Sequence, residues 1–195
     1  FFKLKVKDKI EEILKNKTCM FLLLISTIKS AVSISFGTYI PFLLQKQGFS
    51  LQLTGLVVTL FFIAGGLGTI FSSKFEKKLG AKGVIVLSFL AILPLTIMFL
   101  LTLNKLQILA CGLFILSGFF ILLSVGVILV QAQNALQKYI GVISGFMQGF
   151  SWGLGALFLA PLGLIGDNYG VDKILLLMSF IAFIVGLYAL KRKTV

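Results

Sequence analysis

Apolar and polar positions alternate in long blocks along this chain. Apolar runs of about 20 residues are separated by the short connectors QKQGFS, SKFEKKLGAKG, LNK, QAQNALQKY and GDNYGVD. A run of about 18 or more apolar residues with few charges is long enough to cross a bilayer as a helix. The pattern predicts six such spans, near 19–44, 51–73, 83–103, 106–130, 140–165 and 173–190. The fold class expected is therefore an all-α polytopic membrane protein, with the six-helix transmembrane bundle over 19–195. Residues 1–18 differ: Phe2, Val6, Ile10, Ile13 and Leu14 recur at helical spacing among six lysines and three acids. That spacing predicts a cytoplasmic basic amphipathic linker, either lying in the membrane interface as a helix or solvated with helical tendency.

The spans are not alike. In the first, Ser26, Lys29, Ser30, Ser33 and Gly37 fall on one face at 100° per residue. In the fourth, Ser117, Ser124 and Gln131 recur every seven residues. The second and fifth are glycine-rich, with Gly65, Gly66 and Gly68 in one and Gly141, Gly145, Gly149 and Gly153 at every fourth residue of the other. Each glycine destabilises a helix interior by about 1 kcal/mol relative to alanine, and a small-xxx-small ridge is where membrane helices approach closely. The third and sixth spans are nearly plain hydrocarbon. The order stripe, glycine, plain thus occurs twice. The connectors FEKKLGAKGVIVL and IGDNYGVDKILLL also rhyme around Gly80 and Gly170. Three helices reverse sidedness, so the second triplet is inverted: a 3+3 inverted repeat of the kind found in secondary transporters.

Composition narrows the function. The chain is 58% apolar and only 12% charged, with a net charge of +12, against about 25% charged in soluble domains. The positive residues stand at span ends rather than in an aromatic-interleaved groove, which excludes nucleic acid as a partner. Fourteen of the eighteen lie on one side, in the N-terminal segment, the 74–82 and 131–139 connectors and the C-terminal KRK. The positive-inside rule then puts both termini in the cytoplasm, in a plasma (inner) membrane. There is no histidine, and Cys19 and Cys111 fall near opposite membrane faces, so neither a metal site nor a disulfide is expected. GGLG at 65–68 follows no strand and precedes no GK[ST], so no nucleotide cofactor is expected. The chain begins FFKLKVKDK without Met and reads as an excerpt of a longer one.

Lys29 is the sharpest candidate for chemistry. A midspan charge is costly in hydrocarbon, about 2.5–3.5 kcal/mol on the insertion scale, so it marks a wet or paired site, binding an anionic substrate or an acid. The bland reading is a lysine snorkelling to the headgroups. Gln148 and Trp152 share a face with Ser144; they suit hydrogen bonding and stacking to a substrate, or plain helix packing. Gln131 and Gln133 read as helix-end contacts, Pro41 and Pro161 as bends or span ends. Beyond the N-terminal segment the only acids, Glu76, Asp167 and Asp172, lie in connectors. A proton-coupling group must then come from elsewhere, or Lys29 must take part.

The stretches KSAVSISFGTYIPFLLQKQGFS, FFIAGGLGTIFSSKFEKKLGAKGVIVLS and VILVQAQNALQKYIGVISGFMQGFSWGLGALFLAPLGLIGDNYGVDKIL resemble the C-terminal half of a major facilitator superfamily transporter, most of all its fosmidomycin-resistance-type drug efflux branch. The resemblance covers residues 19–195. The superfamily's loop motif G-x-x-x-D-R-x-G-R-K/R is partly present: Gly80 and Lys82 fit, Ser73 replaces the first Gly, and Lys77 replaces the Asp, between Glu76 and Lys78. The resemblance implies that the first and fourth helices line a central cavity, the second and fifth meet an absent N-terminal six-helix half, and the third and sixth face lipid. It implies secondary active transport of a small molecule by alternating access, efflux of a drug or metabolite coupled to an ion such as H+. A non-transporting scaffold or receptor-like member of the fold is the alternative. A membrane-embedded enzyme ranks lower, since no nucleophile–base pair is present. The cavity residues expected are Lys29, Ser26, Ser33, Ser117, Ser124, Gln148 and Trp152. The Gly141–Gly153 row is expected to pack partly within this half and partly against the absent one.

Overall fold

The computed structural model describes the backbone of residues 6–192 and the side chains of 11–192. Phe2, Lys3, Lys5 and Lys193, and the side chains of Val6, Lys7, Asp8, Lys9 and Ile10, which enter the linker pattern and the charge count, lie outside them. Every regular element among the described residues is helical.

A short helix, Val6–Lys15, leads into the first span, Lys17–Lys46. Asn16 separates them, its side-chain oxygen accepting from the backbone N–H groups of Thr18 and Cys19 at 3.0 and 3.1 Å. Those two donors have no carbonyl of their own helix to bond, so the cap sets where the span starts. The next helical run, Leu51–Leu103, has 53 residues. As one straight helix it would reach about 80 Å, far beyond a hydrocarbon core of about 30 Å. Gly80 breaks it, with φ 71° and ψ 165°, a conformation essentially closed to residues with a Cβ. Residues 51–79 and 81–103 are thus the second and third spans. The fourth, fifth and sixth are Gln107–Ala135, Gln137–Tyr169 and Val171–Lys191. Gly170, between the fifth and sixth, has φ 96° and ψ 149°. The rhyme between the two connectors is therefore a shared backbone conformation at the same place in each triplet.

The packing has the same symmetry. The first span packs on the fifth and the second on the fourth; the first packs on the sixth and the third on the fourth; the third packs on the sixth. Exchanging first with fourth, second with fifth and third with sixth maps this set onto itself, which is the 3+3 inverted repeat. Small residues make the two main contacts. A methyl at Gly68 would overlap the carbonyl of Phe119, one at Gly65 would overlap Leu122, and one at Gly118 would overlap the carbonyl of Phe61. In the mated contact, a methyl at Gly155 would stand 2.8 Å from the backbone nitrogen of Ala31. Phe61 also stacks on Phe114 with centroids 4.6 Å apart.

The Gly141–Gly153 row corrects an expectation. A methyl added at Gly141, Gly145, Gly149 or Gly153 would meet nothing within 4 Å, and the same holds for Gly66. None of the five packs within this bundle. The fifth span instead buries Ile143, Met147, Ser151 and Gly155, a row offset by two residues. Two residues turn a helix by about 200°, so the glycine row lies on the opposite, open face.

Three spans are broken inside. Ala91 and Phe158 interrupt the third and fifth, each three residues before a proline, Pro94 and Pro161. A proline has no N–H for the carbonyl four residues back. Both spans then resume, so Pro161 is a bend and not a span end. Pro41 sits inside the first span, which continues to Lys46. The fourth span breaks at Ser124, φ −94° and ψ −1°. The third and sixth spans are less plain than their composition suggested: the hydroxyls of Thr96 and Ser179 hydrogen-bond at 2.7 Å and join them.

A lysine cleft in the middle of the bundle

Lys29 stands twelve residues into the first span, about 18 Å along its axis, and is 2% exposed. The snorkelling reading fails on that burial. Its ammonium Nζ donates to Ser88 Oγ of the third span and, at 2.7 Å, to Ser124 Oγ of the fourth. It also lies 4.3 Å from the centroid of the Phe89 ring. An ammonium has three donors, and two hydroxyls and one aromatic face account for three directions. These are modest partners. A cation–π contact is worth about 2 kcal/mol when desolvated, while removing an ion from water costs several kcal/mol. No carboxylate among the described residues pairs with Lys29. The polar partners of Lys29 among the described residues are therefore all neutral.

The two serines also bond each other, Ser88 Oγ donating to Ser124 Oγ at 2.8 Å. Ser124 is the break residue of the fourth span, so the cluster ties three spans at a point where one of them is already bent.

Beside the ammonium runs a narrow cleft lined by Ser26, Lys29, Ser30, Ser33, Leu122, Val125, Ile128, Gln148 and Trp152, with a free volume of about 10 Å³, room for about one water. The serines come from the polar stripe of the first span, as its spacing requires. Ser33 Oγ is buried and has no hydrogen-bond partner. Gln148 lies in a π turn, Phe146–Phe150, a widening of the helix that recurs at functional sites. Trp152 follows, 41% exposed on the open side. Neither is buried as packing filler would be.

Of the cavity residues expected from sequence, Lys29, Ser26, Ser33, Ser124, Gln148 and Trp152 thus meet in one place. Ser117 does not: it is buried and its hydroxyl donates to the carbonyl of Phe114 at 2.6 Å. Two turns of helix separate it from Ser124, and its short side chain is spent on its own backbone. Ser88 and Phe89 were missed. The available signal was a lone hydroxyl in a run of hydrocarbon, which needs a partner on another helix.

The loop-motif residues lie at one end of the bundle. The second span stays helical through Glu76, Lys77 and Lys78, and Gly80 makes the turn. Gln131 Nε2 donates to Glu76 Oε1 at 3.5 Å, and Lys82 Nζ to the Arg192 carbonyl at 2.7 Å. Lys77 and Lys78 are exposed. Gln133 Nε2 donates to Ser144 Oγ at 2.8 Å, a tie between the fourth and fifth spans. At the same end Tyr139 Oη donates to Glu12 Oε2 at 2.6 Å, and Ile13 is 3% exposed. The short N-terminal helix is thereby docked against the start of the fifth span.

Comparison with known proteins places this geometry. The sequence model of the family described as Major Facilitator Superfamily matches residues 2–160. The "Fosmidomycin resistance protein" of Escherichia coli (strain K12) is 33% identical over 149 residues, which cover 75% of this chain and 36% of that protein. The "Uncharacterized MFS-type transporter YfnC" of Bacillus subtilis (strain 168) is 28% identical over 132 residues, 68% of this chain and 32% of that protein. The chain spans about a third of the length of the curated relatives it matches.

Proposed function

Because this chain belongs to the major facilitator superfamily, a family of membrane transporters and not of enzymes, we propose that it forms one half of a secondary carrier working by alternating access. The carrier exports a drug or metabolite against an ion gradient, with H+ as the candidate coupling ion. The observation that carries this reading is the midspan Lys29, buried with neutral partners beside a polar cleft. An intramembrane cation in that setting marks a substrate or ion path. Lys29 attracts an anionic group of the substrate. Ser26, Ser33 and Gln148 offer hydrogen bonds, and Trp152 a stacking face. The open glycine row of the fifth span faces the other partner, an N-terminal six-helix half, and membrane lipids surround both. The distribution of lysine and arginine supports an inner-membrane protein with both termini in the cytoplasm.

The test uses the full-length protein in sealed vesicles with an imposed pH gradient. Fosmidomycin, the compound in the name of the Escherichia coli relative, is the first substrate to try. Gradient-driven accumulation that Lys29→Gln reduces tenfold or more supports the reading. Accumulation unchanged by Lys29→Gln removes Lys29 from it. The scaffold alternative draws on one feature, the replacement of the loop-motif acid by Lys77. It is favoured by ligand binding without gradient-driven movement for any substrate tried.

A further inference from the structure

We propose that Ser88 and Ser124 are a parking site for Lys29, and that the lysine alternates between this pair and the cleft beside it, where it meets an anionic group. The identity of that anion rests on the transport reading; the movement does not.

Three features carry it. Ser88 and Ser124 hydrogen-bond each other at 2.8 Å as well as receiving the ammonium. When the lysine leaves, the two hydroxyls remain paired. A buried polar group left without a partner costs about 1–3 kcal/mol, and this pair avoids that in both states. Second, an acceptor is waiting on the other side. Ser33 Oγ lines the cleft one helical turn from Lys29, is 1% exposed, and has no partner. Third, the side chains found against Lys29 or across its cleft among the described residues are neutral: Ser88 and Phe89 from the third span, Ser124 from the fourth, and Gln148 and Trp152 from the fifth. An anion entering the cleft is a stronger partner than any of these, and the flexible four-carbon stem lets the ammonium follow it.

The consequence for mechanism is direct. Parked, Lys29 joins the first, third and fourth spans, the last at its break. Drawn into the cleft, it releases the third and fourth. Ligand arrival is thereby coupled to a change in how three helices are held. Ser88 and Ser124 are positioning residues in this scheme, acting through Lys29.

The experiment reads the lysine's position without needing the substrate. In the full-length protein, with native cysteines replaced, Ser26→Cys places a thiol in the cleft wall. Its reaction rates with a sulfonate-bearing and a trimethylammonium-bearing methanethiosulfonate are compared in vesicles. Ser88→Ala with Ser124→Ala is expected to raise the anionic-to-cationic rate ratio about threefold to tenfold, as a displaced ammonium next to the thiol requires. Ser88→Thr with Ser124→Thr keeps both hydroxyls and is expected to restore the parent ratio. Adding Lys29→Met should lower the ratio and abolish the effect of the serine changes. If the double alanine variant does not fold, Ser124→Ala alone is read the same way. An unchanged ratio in the alanine variants, or an equal change with Lys29→Met present, overturns the proposal. Gradient-driven transport is assayed separately, so its absence would remove the carrier reading and leave the labelling result standing.

Discussion

Lys29 Nζ donates to Ser124 Oγ across 2.7 Å, joining the middle of the first span to the break in the fourth. Around the lysine stand only hydroxyls and a ring. Its burial is poorly compensated, and that imbalance sets the first expectation.

Lys29→Met should leave stability unchanged or raise it by about 1–4 kcal/mol, because replacing a buried ion by an apolar chain of similar volume removes a desolvation penalty. Ser88 and Ser124 still satisfy one another in the variant. Transport should be lost. Thermal unfolding in detergent, run beside a vesicle transport assay, separates the two effects. A large fall in melting temperature would mean that the lysine holds the bundle together.

The glycines divide into two classes. Gly68→Ala and Gly118→Ala should each destabilise by about 1–3 kcal/mol, since the added methyl runs into backbone carbonyls that cannot move aside. Gly145→Ala meets nothing within 4 Å and should be neutral or stabilising by up to about 1 kcal/mol in this bundle. Denaturation midpoints of the three variants check the order. In the full-length protein, Gly145→Trp should impair transport while the isolated bundle tolerates it, if the open row meets the other half.

Gly80→Ala and Gly170→Ala force a Cβ into a conformation that residues with side chains avoid. Each should cost about 1–3 kcal/mol. The backbone cost should be similar, because the positions correspond in the repeat, and Gly170→Ala should cost somewhat more because its methyl also displaces the Asp172 carboxylate, which would stand 2.6 Å away. A clearly smaller penalty at Gly170 than at Gly80, measured by unfolding, would count against that equivalence.

Tyr139→Phe removes the hydrogen bond to Glu12, which is worth about 1 kcal/mol or somewhat more for a charged acceptor. The N-terminal helix should undock more often. Limited proteolysis between residues 6 and 16 should speed up severalfold, with the spans themselves still protected.

How much of this was readable beforehand depends on what each signal measures. Hydropathy marked the long apolar helices, since crossing a bilayer demands a certain apolar length. The stripe of the first span announced its cleft, because 100° per residue puts Ser26, Lys29 and Ser33 together whatever else the chain does. The rhyme around Gly80 and Gly170 pointed to a repeat because only glycine takes that turn. Spacing could not say which side of a helix is occupied. The Gly141–Gly153 row and the Ile143–Gly155 row have the same period and differ by two residues, so the choice between them belongs to the neighbouring helix. Ser117 and Ser88 fail for a related reason. A hydroxyl serves its own backbone or a distant lysine according to a tertiary arrangement that no local window contains.

Lys29 and Ser124 are 95 residues apart, and that separation is also an interval of time. At synthesis rates of about 5–20 residues per second, roughly 5 to 20 s pass between the making of the lysine and the making of the serine. Ser88, 59 residues on, arrives earlier, but it sits on a span whose own partners are not yet made. Lys29 is therefore made before either of the two serines that hold it here, and this three-span cluster closes only when the fourth span is in place. The packing of first on fifth and second on fourth imposes the same wait on the helices themselves: neither triplet can assemble before the other has begun to appear.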